Sequence, residues 1–141
     1  MSFYDLEYKT EQAFLSRLTA ASIAGLNQYA GHNSAEMALP WCSVHARQGD
    51  EFPVGSANYR VHVEITVAGS ADDGTPETTH KTFVGKVRDA LLVATLPGDL
   101  SAAVADFTCP DAWAGPVETR VEDRRFLSTL EITIIAANAD I

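Results

Sequence analysis

Tyr59-Arg60-Val61-His62-Val63-Glu64-Ile65-Thr66-Val67 alternates apolar and polar residues without a break. Successive strand side chains face opposite ways, so Tyr59, Val61, Val63, Ile65 and Val67 share one side. Arg60, His62, Glu64 and Thr66 share the other. Near the end of the chain the pattern returns, with Phe126, Leu130, Ile132 and Ile134 set against Arg125, Thr129, Glu131 and Thr133. A period of two with one apolar face marks an antiparallel sheet covered on a single side. Between the two stretches, Thr75-Pro76-Glu77 supplies a cap, a proline for the first turn and an acid beside it, a good helix start. The spacing carries this helix to about Ala94. On a wheel of about 100° per residue, Phe83, Val84, Val87, Ala90 and Leu91 form one apolar arc, with Lys81, Arg88 and Asp89 outside it. That arc is expected to cover the sheet.

Working outward, Asp5 to about Ala24 reads as a first helix with a stripe of Phe14, Leu15, Leu18 and Ala21. Glu7 and Glu11 lie near that stripe, so the first turns are expected to be exposed or to face a partner. Gly25 to Pro40 reads as a connection whose end Met37, Leu39 and Trp41 pin to the core. Trp41 to Arg47 reads as a short strand that pairs with Ala57–Ala68 through an extended, mobile loop, Gln48 to Ser56. After Pro97-Gly98 a short helical turn contains Leu100, Ala103 and Val104. Phe107 to Cys109 is expected as a brief strand, Pro110 to Pro116 as a loop carrying Trp113, and Val117 to Val121 as extended. A turn at Glu122-Asp123 precedes the last strand, Arg124 to Ala137. The expected fold is α+β: one domain spanning residues 1–141, an antiparallel sheet packed on one side by two helices, in the order helix, hairpin, helix, hairpin.

Composition sets bounds on function. The 141 residues are 46% hydrophobic and 21% charged, ordinary for a globular domain. The net charge of −9 repels a phosphate backbone and disfavours tight nucleic-acid binding. No secretory signal is visible, and no apolar stretch is long enough to span a membrane. Cys42 and Cys109 are far apart, with no multi-cysteine framework for zinc or disulfides.

A reactive centre is hard to assemble from these residues. Cys42 and His45 are three apart on a strand and so face opposite sides. His32, His45, His62 and His80 are dispersed over different elements, although His45 and His62 are candidates for cross-strand neighbours. Asp72-Asp73 lacks the rest of a calcium loop, and no phosphate-cradling glycine motif is present. His80 falls on the apolar arc of the central helix, where burial under the sheet is the simpler expectation and a pH- or partner-sensitive role the sharper one. No enzyme activity, metal or cofactor is expected.

Ala57 to Val67, Ala71-Asp72-Asp73, His80 and Val84-Gly85-Lys86-Val87-Arg88-Asp89-Ala90-Leu91 together resemble the middle of small tailed-bacteriophage structural proteins. These are the tail terminator, neck, tail-completion and head-tail joining proteins. Val121 to Phe126 and Leu130 to Ile134 resemble their last strand. The resemblance implies a virion structural protein of the tail or neck, assembled in the host cytoplasm as a ring, commonly a hexamer. Its implied partners are further copies of itself, the tail tube protein, a neck or connector protein, and DNA passing through the lumen. An acidic lining limits sticking of that DNA. The two loops are the candidate assembly contacts, carried by Gln48, Gly49, Asp50, Glu51, Phe52, Asp111 and Trp113. Alternatives are a neck or head-completion protein above the terminator, a small enzyme using His80 or His45 with an acid, and a ligand-binding module of bacterial origin.

Overall fold

The computed structural model describes residues 3–30, 40–51, 54–71, 76–122 and 124–138. Its elements follow the order α1 (Phe3–Ala20), β1 (Asn27–Ala30), β2 (Trp41–Glu51), β3 (Tyr59–Ser70), α2 (Pro76–Leu91), α3 (Leu96–Ala103), β4 (Phe107–Glu122) and β5 (Arg125–Asn138). The strands form one five-stranded sheet ordered β1-β2-β3-β5-β4. The three helices pack against it in a single α+β domain.

The two alternating stretches become the neighbouring central strands β3 and β5. They pair antiparallel from Tyr59↔Ala136 to Ser70↔Arg125 without a register shift. Val61, Val63, Ile65, Ile132 and Ile134 point into the core with Val44, and α1 and α2 bring Phe14, Leu18, Val87 and Leu91 onto them. Each such side chain, once fully buried, contributes roughly 1.5–3 kcal/mol. Of the expected α1 stripe, Phe14 and Leu18 are buried while Ala21 is exposed past the helix end. The helix-free face is not uniformly wet. Trp41, Ala68 and Leu127, consecutive in register across β2, β3 and β5, bury one another in a second small cluster there.

The helix after Pro76 ends at Leu91 rather than about Ala94, and three expectations about which elements exist need correction. Asn27–Ala30, read as part of a connection, is a strand running parallel to the start of β2, which makes the sheet mixed. Its four residues carry too little alternation to show a period. Leu96–Ala103 is a third helix rather than a single turn. Pro110 to Pro116 is not a loop: Phe107 to Glu122 is one strand. The register with β5 shifts between Thr108 and Asp111 and again between Ala114 and Val117. Each shift gives β4 one extra residue, so Cys109-Pro110 and Gly115-Pro116 sit in bulges. A bulge on an edge strand is where a proline, lacking an N–H, is tolerated. The proline and glycine that read as loop punctuation therefore interrupt the ladder without ending the strand. Met37, Leu39, His32, Phe52, Asp72, Asp73, Thr75 and Asp123, used above, lie outside the described residues.

Candidate assembly surfaces

Gln48, Gly49, Asp50 and Glu51, expected in a mobile loop, are the last residues of β2. The register shift between Gln48 and Glu51 places Gly49 and Asp50 opposite Arg60 alone. A Cβ at Gly49 would lie 3.0 Å from the Arg60 carbonyl oxygen and 3.3 Å from His62 Nε2, so this bulge is tight against its neighbour strand. The turn that follows is tied down as well. Glu51 accepts the N–H of Gly55 and of Ala57, each at 2.8 Å. Gly55 and Ala57 hold positive φ of 85° and 61°. These backbone hydrogen bonds, the Gly55 bond foremost, hold the Glu51 carboxyl below the usual carboxylate range.

Asp111 and Trp113 sit on β4, at the far edge of the same sheet. Row by row, Arg47 lies opposite His62, His62 opposite Thr133, and Thr133 opposite Trp113. The fold thus brings the two candidate segments to one end of the sheet, but keeps β3 and β5 between them. Neighbouring strands lie about 4.8 Å apart, so the segments form two surfaces rather than one site.

The Trp113 surface has a definite shape. Where β4 passes the link from α2 to α3, an open groove of about 310 Å³ is lined by Leu92, Val93, Ala94, Asp111, Ala112 and Trp113, among others. Leu92, Val93 and Trp113 stay substantially exposed, Trp113 at 45%. An exposed apolar rim around an aromatic anchor suits a protein contact better than solvent. Trp113 was legible as an interesting residue. The Leu92-Val93-Ala94 side of the groove was not, because those residues read as the end of a helix.

Two features had no sequence signal that settled them. Glu11 accepts the Ala46 N–H at 2.9 Å and Glu7 accepts the Gln48 N–H at 2.7 Å. Among the described residues, β1 pairs with β2 only as far as Val44. The carboxylates of α1 thus take over the edge of β2 where its neighbour strand stops, so Glu7 and Glu11 face the protein's own sheet. The second feature is His80, 2% exposed beneath β3 and β5. Its Nε2 lies 2.7 Å from Ser128 Oγ, which lies 2.7 Å from Thr119 Oγ1. The imidazole stacks on Phe126 at a centroid distance of 5.5 Å. Among the described residues its buried Nδ1 has no hydrogen-bond partner. A protonated ring would need acceptors at both nitrogens, so the neutral form with hydrogen on Nε2 fits best. Desolvation accordingly lowers the proton affinity of His80.

Chemistry elsewhere is sparse. Cys42 and Cys109 are buried, and burial pushes both thiols up to about 12, which leaves them protonated. Cys42 faces the core while His45 faces the helix-free side, as their spacing implies. His45 and His62 are diagonal neighbours in a dimple of about 120 Å³ that also holds Arg47, Glu64, Glu131 and Thr133. Among the described residues no three His, Cys, Asp or Glu side chains are placed to hold a metal ion. No helix among them is long and apolar enough to cross a membrane.

These surfaces belong to an α+β domain whose sheet is covered on one face and whose described edges carry carboxylate caps and bulges. That fold is shared with a chain in the solved structure of the virion of a native gene transfer agent particle. The two align with a TM-score of 0.67 at 17% identity, over 92% of this chain and 94% of that one. No protein-family model matches the sequence. No curated protein matches it.

Proposed function

We propose that this chain is a non-enzymatic structural protein of a tailed-phage-type virion. In this reading it forms a ring, a hexamer, that terminates the tail tube and joins it to the head or neck, with DNA passing through the lumen. One observation carries the proposal: nearly end-to-end similarity of fold to a chain of a virion particle. The sequence resemblance to terminator and neck proteins supports it independently. So do the net charge of −9, which keeps a lumen from holding DNA, and the apolar groove beside Trp113. A head-to-tail contact that closes into a ring leaves only two faces free, one for the tube and one for the connector. The end of the sheet carrying Gln48 to Glu51 supplies one contact and the Asp111–Trp113 groove another.

Negative-stain electron microscopy of the purified protein, alone and mixed with tail-tube subunits from the same source, tests this. Rings, or tubes ending in a distinct cap, are the expected outcome. Rings that ignore the tube would move the assignment to the neck. A protein that forms no ring and binds neither tube nor connector would overturn the virion role. Trp113→Ala is expected to leave the melting temperature unchanged while preventing ring formation.

A further inference from the structure

The edges of the sheet are protected unequally. On β2, past the reach of β1, Glu11 and Glu7 cap the Ala46 and Gln48 amides. On β4, the stretch up to Pro116 carries two prolines at two bulges, which deny a neighbouring strand a regular ladder. From Val117 to Glu122 the register with β5 is unbroken, and among the described residues no other strand pairs with β4. Val121 is 63% exposed on this segment. A shallow depression of about 390 Å³ lined by Glu118, Thr119 and Arg120 follows it. Among the described residues, no proline and no register shift interrupts this segment.

The residues along this edge say which strand fits. When two identical antiparallel strands pair about a two-fold axis, opposed residues share a face, so i and j differ by an even number and the residue midway lies opposite its own copy. Centring on Glu118 or on Arg120 sets like charges face to face, which is unfavourable. Centring on Val117 brings the Gly115-Pro116 bulge into the ladder, and centring on Val121 leaves only three pairs inside the strand. Centring on Thr119 places Val117 opposite Val121, Glu118 opposite Arg120 and Thr119 opposite Thr119, then repeats the first two pairs in reverse. Glu118 and Arg120 lie on the helix-free face, in register with Thr129 and Leu127. Val117 and Val121 lie on the other face, in register with Leu130 and Phe126. The charged pairs and the valine pairs thus fall on opposite faces of the joined sheet.

We propose that the Val117–Val121 edge binds a second copy of this chain, antiparallel about Thr119, joining two five-stranded sheets into one. This contact is two-fold and self-complementary, so it differs from the head-to-tail contact of a ring and does not rest on the virion role. Five residues a side bury less than the roughly 800 Å² per partner of a standard interface. The dimer is therefore weak and follows concentration.

Sedimentation equilibrium of the full chain from micromolar to millimolar concentration tests it, with circular dichroism melts to verify folding. In the Trp113→Ala background, where rings are not expected, the protein should pass from monomer to dimer. Glu118→Arg and Arg120→Glu should each weaken self-association by about tenfold or more, because each sets two like-charged pairs across the axis. Mixed in equal amounts, the two variants should dimerise with each other, since each supplies the charge the other has lost. The double variant Glu118→Arg/Arg120→Glu should recover self-association. A Trp113→Ala protein that stays monomeric throughout would overturn the proposal. So would single charge variants in that background that dimerise like it, or a mixture that fails to recover. Tube capping retained by the same charge substitutions with Trp113 in place would show that the two contacts are separate, as proposed.

Discussion

Replacing Glu11 by alanine tests whether α1 seals the edge of β2. Ala46 is 3% exposed, so water cannot readily take over its amide once the carboxylate is gone. The Glu11 side chain is itself only 15% exposed, which limits solvent screening of the lost interaction. A hydrogen bond to a charged acceptor contributes about 1.5–3 kcal/mol net, and an orphaned buried donor loses a similar amount. The His45 Nδ1 contact to Glu11, at 3.8 Å, adds little because His45 is more exposed. The expected loss for Glu11→Ala is therefore about 2 kcal/mol. At about 3–4 °C per kcal/mol for a domain of this size, the melting temperature falls by roughly 6–8 °C. Glu11→Gln keeps an acceptor and loses only the charge, so it should cost about half as much. Urea denaturation gives the energies. Amide exchange at Ala46 locates them, and should accelerate with Gln48 little affected. A loss under about 0.5 kcal/mol, the range of an ordinary surface substitution, would refute the edge seal.

Acid should destabilise the protein through His80. Its folded proton affinity lies below the ordinary value of 6.5, so below that pH the unfolded chain takes up the proton first. Stability is unaffected by this group above pH 6.5 and falls as the pH drops toward the folded value; urea melts at pH 7.5 and 5 should show the fall, and His80→Gln should flatten it. Gly49→Ala should cost about 1–2 kcal/mol by crowding the Arg60 carbonyl, read as a lower urea midpoint with an unchanged slope. Glu51→Gln should accelerate amide exchange at Gly55 and Ala57 while leaving the global melt nearly unchanged, since the turn is surface structure. Below the ordinary carboxylate range the wild-type turn should loosen in the same way, because protonation removes the charge that orders it.

Alternation and helical periodicity are properties of one segment at a time, and the elements that rest on them were legible in the sequence. β3, β5 and α2 follow from residues that must share one dry face, whatever else the chain does. The opposed placement of Cys42 and His45 follows from the same period. What neighbouring strands decide was not legible. Whether Pro110 and Pro116 end a strand or bulge it depends on β5 continuing alongside, and only the register shows that it does. β1 is a strand because β2 lies next to it, not because its four residues demand it. Glu7 and Glu11 stood out as carboxylates beside an apolar stripe, but their acceptor role depends on β1 stopping at Val44 and leaving amides to be capped. Gln48 to Glu51 and Trp113 stand in polar stretches whose glycines and prolines read as contact loops. Their separation by two strands, and the partnership of Trp113 with Leu92 and Val93, arise from long-range packing. The sequence by itself determined which faces are dry. The tertiary structure alone decided which edges are closed, because an edge is defined by the neighbour it lacks.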